Sequence, residues 1–176
     1  MSDFIRRARI GAVLGDHVNT DVIYPARYLT IFAPEEVRQH LFEDIDPDFA
    51  RRAAGSAVLG GIDFGCGSAR EQGLTALKHA GVEMLICKSY SRAFYRNGFN
   101  QAVPLFIADC PEPLESLGGP GDELEANFTT GILKNLTRNI SFACSPTPAF
   151  LIQLLESGGV WNFLKQKTNL MPEGSL

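Results

Sequence analysis

Between residues 56 and 87 the chain passes from an apolar run through a glycine loop and a helical pattern into a second apolar run, and few folds accommodate that order. Ser56-Ala57-Val58-Leu59-Gly60-Gly61 reads as a buried strand, and it feeds Asp63-Phe64-Gly65-Cys66-Gly67-Ser68-Ala69-Arg70-Glu71. A helix is expected over 69–79, ended by Gly81, with a strand over 82–87. Strand, loop, helix and strand in that order make a βαβ unit, whose parallel strands need a crossover helix. The spacing predicts an α/β domain.

The remaining pattern extends that unit. A strand is expected at 9–14, a polar loop at 15–21, short helices at 34–42 and 47–54, a helix at 91–94 and a strand at 103–108. Alternating β-like segments follow over 123–142, then a helix at 148–156 before the Gly158-Gly159 break. Pro34, Glu35 and Glu36 suit a first helical turn. No internal repeat divides the 176 residues, and a chain of this size buries about two-thirds of its unfolded surface without staples. One domain over 1–166 is expected, with 167–176 as a flexible C-terminal tail.

Composition excludes several partners. Sixteen Lys and Arg stand against twenty Asp and Glu, and no basic cluster exceeds pairs such as Arg6-Arg7 and Arg51-Arg52, so a nucleic-acid partner is not expected. Apolar runs such as 84–87 and 103–108 fall far short of the ~20 residues that span a bilayer. Residues 1–9 carry charge with no apolar h-region and small-residue cleavage site after them, so neither membrane nor secretion is expected and the cytoplasm is the default. Cys66, Cys87, Cys110 and Cys144 are widely spaced without a Cys-x-x-Cys pair, so no metal site arises from a local motif. Cys87 and Cys110, in or beside apolar runs, read as small buried hydrophobes.

The glycine loop is where chemistry can sit. Gly65 and Gly67 allow the backbone to approach a ligand beside a helix start, a place suited to an anion. Arg70 stands where a dinucleotide fingerprint needs its third glycine, so a nicotinamide cofactor is not expected. A cation in a first helical turn opposes the helix dipole unless a bound carboxylate, or Glu71 or Asp63, compensates it. Ser68 and Glu71 fit a capping box; the same amides and cation would also stabilise a serine alkoxide acting as a base. Cys66 could be an activated thiolate, for which His17 is the candidate partner, because His79 lies at the far end of the helix and His40 on an amphipathic one.

The run 63–72, the run 15–29 (Gly-Asp-His-Val-Asn-Thr-Asp-Val-Ile-Tyr-Pro-Ala-Arg-Tyr-Leu), the segments 80–82 and 89–100 and Leu155-Glu156-Ser157-Gly158-Gly159 resemble, in order, the isopropylmalate isomerase small-subunit family. The resemblance implies an aconitase swivelling-domain-like β/β/α barrel in a single α/β domain. It implies a separate iron–sulfur large subunit, in a heterodimer or heterotetramer, that carries a [4Fe–4S] cluster, so that this chain binds no cofactor itself. The small dicarboxylate substrate would be dehydrated and rehydrated, 2-isopropylmalate to 3-isopropylmalate, in leucine biosynthesis. Ser68 matches the family's serine base, Arg70 its carboxylate-gripping arginine and Asp16 an active-site aspartate, with Gly67 and Ala69 beside them.

Specificity in the family is set just after Tyr28-Leu29, where tricarboxylate-using relatives place an arginine. Here Thr30, Ile31 and Phe32 offer no cation for a third carboxylate but can cover an alkyl group, favouring alkylmalates over homocitrate or citrate. Ala69 and Gln72 depart from the usual Gly-Ser-Ser-Arg-Glu-His, which keeps open a related hydro-lyase such as 2,3-dimethylmalate dehydratase or homoaconitase. Arg27, Arg92, Arg96, Asn97 and Asn100 match family positions and are read as scaffold. A stand-alone carboxylate-binding module remains the non-enzymatic alternative.

Overall fold

A computed structural model describes residues 3–168. The strands are β1 (Ile5–Val13), β2 (Ser56–Gly60), β3 (Met84–Cys87), β4 (Leu105–Ile107), β5 (Glu123–Asn127), β6 (Ile132–Asn135) and β7 (Ile140–Ala143). The helices are α1 (Thr20–Ile23), α2 (Pro34–Val37), α3 (Phe49–Arg52), α4 (Glu71–His79), α5 (Arg92–Asn100), α6 (Leu114–Leu117), α7 (Ala149–Glu156) and α8 (Val160–Thr168). All seven strands form one mixed sheet in the order β4-β3-β2-β1-β5-β6-β7.

β1 is the pivot, parallel to β2 on one side and antiparallel to β5 on the other. On the parallel side α4 carries the chain from β2 to β3 and α5 from β3 to β4, the βαβ order expected from residues 56–87. Every residue of β2 and β3 is buried, as in strands covered on both faces. On the antiparallel side β6 alternates, burying Leu133 and Asn135 while Lys134 is exposed.

The sheet curls into a half-barrel. Beyond β4, the Asp109 carboxylate accepts hydrogen bonds from the Ser145 backbone N–H at 2.7 Å and its hydroxyl at 2.5 Å, just beyond β7. Outermost strands that share no ladder are thus drawn together at one end. Phe106 and Phe4 both meet the Phe128 ring edge-on, with centroids 5.3 and 5.4 Å away.

Several boundaries differ from the sequence reading. The helix expected over 34–42 ends as a 3-10 turn at Arg38–His40, because Leu41 is extended and Phe42 turns left-handed at φ +56, which buries both side chains. The helix at 91–94 continues to Asn100, and the helix expected from residue 69 starts at Glu71. Lys167 and Thr168, assigned to a loose tail, close α8, while the rest of that expected tail, 169–176, lies outside the described residues. Among the described residues no helix is long and apolar enough to cross a membrane.

Candidate active site

The loops that follow β1 and β2 leave adjacent parallel strands at their carboxyl ends, the edge where open α/β sheets place ligands. Main-chain hydrogen bonds knit them together. His17 N donates to Ile62 O at 2.8 Å, Gly65 N to Val18 O at 2.8 Å and Thr20 N to Cys66 O at 2.9 Å. The Thr20 hydroxyl donates to Ser68 O at 3.0 Å, and Ile62 N donates to the Asp16 carboxylate at 2.9 Å. From the other side Phe64 N donates to Ser89 O at 3.0 Å and the Ser91 hydroxyl to Gly65 O at 2.6 Å. Asp16, Gly67, Ser68, Ala69 and Arg70 therefore share one braced surface.

Two glycines make that brace possible. Gly65 has φ +76, and a Cβ there would overlap the Phe94 ring. Gly67 has φ +92 and lies so close to Asn19 that a Cβ would come within 2.7–2.9 Å of the Asn19 amide group. Asn19 in turn caps α1, its side-chain oxygen accepting from Asp21 N at 2.9 Å. His17 and Asp63 are both left-handed at φ +54 and +55, with His17 Nδ1 3.5 Å from Asp63 Oδ2. Non-glycine residues in that region are uncommon and gather at functional sites.

The capping box does not form. The N-cap of α4 is Arg70, extended at φ −121 and ψ 130 with no side-chain cap. Thr20 holds the Cys66 and Ser68 carbonyls, which keeps the loop extended until Glu71, so the exposed Ser68 hydroxyl has no hydrogen-bond partner among the described residues. Arg70 consequently stands at the N-cap of α4, where a carboxylate partner compensates its charge against the helix dipole. Its ion-pair partner is neither Glu71 nor Asp63 but Asp21.

The thiolate–imidazole pair is likewise absent. The Cys66 thiol donates to the His17 carbonyl at 3.3 Å, while the His17 ring faces Asp63. His40 pairs with Glu43 and stacks on Tyr28 at 3.7 Å, and His79 ends α4. Hydrogen bonds from His40 above all, then from Tyr28 and Arg27, hold the Glu43 carboxyl below its usual range despite partial burial. Cys87, fully buried in β3, has its thiol pushed up by burial.

A cleft of about 420 Å³ opens beside Arg70, lined by Phe32, Val37, Ala69, Gln72 and Thr75 among others. Arg70 is largely shielded there, with 22% of its side chain exposed, whereas Phe32 stands 76% exposed at the mouth. Gln72 donates to Leu29 O at 3.4 Å and so tethers the Tyr28–Phe32 segment to α4. Thr30 is exposed and Ile31 half-buried against the core, and the cleft lining includes Phe32 but neither of these two. A larger concavity of about 620 Å³, around His40, Arg38 and Arg51, contains none of the expected site residues.

Asp21 and Asn19 are the site residues that sequence reading missed; the polar run 15–21 marked them only as loop formers. Among the described residues no group of three His, Cys, Asp or Glu side chains could hold a metal ion. Two of the four thiols are buried and the other two stand on separate loops, so this donor set does not fit an iron–sulfur cluster.

Residues 22–109 match the Aconitase C-terminal domain family. The chain is 42% identical to the 3-isopropylmalate dehydratase small subunit of Clostridium acetobutylicum, over 86% of this chain and 92% of that protein. It is also 42% identical to the isopropylmalate/citramalate isomerase small subunit of Methanocaldococcus jannaschii, over 87% and 90%. The crystal structure of a 3-isopropylmalate dehydratase from Methanocaldococcus jannaschii superposes with a TM-score of 0.85 at 31% identity, covering 95% of this chain and 97% of the other. With sequence and fold shared over nearly their whole length, the chain belongs to the aconitase C-terminal-domain family, among its 3-isopropylmalate dehydratase small subunits.

Proposed function

We propose that this chain is the small subunit of a cytoplasmic hydro-lyase that interconverts 2-isopropylmalate and 3-isopropylmalate in leucine biosynthesis. The observation that carries the reading is the placement of a shielded Arg70 guanidinium in a cleft with Phe32, two residues from an unpartnered Ser68 hydroxyl. Arg70 grips one substrate carboxylate through its planar fork, and Phe32 covers the alkyl group. Ser68 takes the proton from the carbon next to the hydroxyl-bearing one while that hydroxyl departs as water; in the return step water adds to the carbon that lost the proton, and the proton goes to the carbon that lost the hydroxyl. Asp16, anchored by the Ile62 amide, holds the edge of the loop on which Gly67 and Ser68 sit.

This chain's donor set does not fit an iron–sulfur cluster, so the cluster that the family implies belongs to the large-subunit partner. The braced surface of Asp16 and Ser68, with Phe32 at the cleft mouth, is the face turned toward that partner. Ala69 lines the cleft without the hydroxyl usual at that position, a departure that keeps a related alkylmalate such as 2,3-dimethylmalate as the second reading.

The test is anaerobic reconstitution with the iron–sulfur large subunit of the same organism, comparing 2-isopropylmalate, 2,3-dimethylmalate, citramalate and homocitrate. Turnover of 2-isopropylmalate only when both chains are present is the expected result. Preference for a smaller alkylmalate would move the assignment to the second reading. Dicarboxylate binding by the chain alone, with no activity in the mixture, would replace both with a binding module.

A further inference from the structure

We propose that Cys110 and Cys144 are a reversible disulfide pair that staples the two outer edges of the sheet under oxidising conditions. β4 and β7 end the sheet on opposite sides and share no ladder, yet Asp109 accepts two hydrogen bonds from Ser145 across the gap. Cys110 follows Asp109 and Cys144 precedes Ser145, so one thiol stands on each side of the same junction. Both are free.

Each backbone is fixed where it stands. Cys144 N donates to Gly131 O at 2.8 Å, and the Lys88 ammonium donates to Cys110 O at 2.5 Å and Glu112 O at 3.0 Å. The Cys110 thiol donates to Ala108 O at 3.7 Å, and each cysteine stands one residue from the Asp109–Ser145 hydrogen bonds, which holds the two on facing sides of the junction. Lys88 Nζ also lies 3.7 Å from Cys110 Sγ, setting a positive charge beside that sulfur.

Access sets the order of events. Cys110 is 4% exposed and Cys144 half-buried, so an oxidant meets Cys144 first. Burial pushes the Cys144 thiol up to about 12, so its thiolate fraction, and with it the rate of attack on a disulfide, rises with pH. With a small disulfide RSSR, the Cys144 thiolate attacks one sulfur, forming Cys144–SR and releasing RS⁻, which takes up a proton. Cys110 then loses its proton to solvent and attacks the Cys144 sulfur, forming the internal disulfide and releasing the second RS⁻. Two protein thiols are oxidised and one RSSR is reduced to two RSH.

The test uses the intact wild-type chain and excess oxidised glutathione at pH 8.5, followed by peptide mapping without reductant. The expected result is a peptide pair linked through Cys110 and Cys144, an intact mass lower by two hydrogens, and a Tm raised by about 5 °C and reversed by dithiothreitol. Cys66→Ser should keep the link; Cys144→Ser should abolish it. Glutathione adducts that persist on Cys144 without resolving, or a link through Cys66, would overturn the proposal. The readout is a covalent bond in this chain alone, so its outcome is independent of the catalytic assignment.

Discussion

Asp21 and Arg70, 49 positions apart in sequence, form the ion pair that orients the guanidinium at the mouth of the cleft. Asp21 is set by the Asn19 cap and Arg70 by the end of the glycine loop, so both partners are presented by backbone fixed elsewhere. Asp21→Asn is expected to raise KM about tenfold with kcat little changed, since it leaves the guanidinium in place but unaimed. Steady-state kinetics of the reconstituted enzyme decide it; a fall in kcat alone would place Asp21 in the chemical step.

Ser68→Ala should lower kcat by about 10²–10⁴-fold with little change in Tm, because the hydroxyl makes no hydrogen bond among the described residues. Turnover and thermal melting of the same preparation check both halves. Wild-type turnover would remove Ser68 from the chemistry.

Gly65→Ala and Gly67→Ala should separate stability from function. The first forces a Cβ into Phe94 at a left-handed φ and is expected to cost about 2–4 kcal/mol of folding stability. The second strikes the Asn19 amide, which can yield, so it should cost only the ~1–2 kcal/mol of a left-handed φ while activity falls as Asn19 and Asp21 move. Denaturant unfolding and kinetics on both variants test the contrast.

Phe32→Ala should reduce discrimination for the isopropyl group, because an exposed ring at the mouth is lost while Arg70 and Ser68 remain. Burying one methylene more or less is worth about 1–3 kcal/mol, so the ratio of kcat/KM values for 2-isopropylmalate and citramalate should shift by about tenfold or more toward the smaller substrate. An unchanged ratio would dissociate Phe32 from specificity.

The Tyr28–Phe32 segment also carries a pH signature. Tyr28 stacks on His40 and donates to Glu43 at 2.9 Å, so the low Glu43 pKa is tied to the segment's position. A carboxyl depressed in the folded state stabilises it at pH above the unfolded value of about 4.3, and that contribution is lost as pH falls through the folded value. Melting curves between pH 7 and pH 3 should therefore fall less steeply for Glu43→Gln than for wild type. Parallel curves would show that Glu43 is not linked to folding.

The βαβ core was legible because β2 and β3 are fully buried and read as continuous apolar runs, and because Gly65 and Gly67 mark the turn between strand and helix. The start of α4 was not. Ser68-x-x-Glu71 satisfies the local rule for a cap, but Thr20, 48 residues away, takes the Ser68 carbonyl and delays the helix. The Arg70 partner was hidden for the same reason: local sequence offers Glu71 and Asp63, whereas the fold offers Asp21. The bend at Phe42 depends on burying Leu41 and Phe42 against the core, which no window of neighbouring residues encodes.

The position of β1 has a cost during synthesis. β1, made before the other six described strands, is the middle strand of the sheet, and its antiparallel partner β5 arrives only at residues 123–127. Until then one whole edge of β1 has no ladder, although β2, β3 and β4 can already assemble on the other. A nascent chain halted near residue 110 would display that edge as a template for other strands. Truncations ending there should aggregate, even though they contain every residue assigned to the active site.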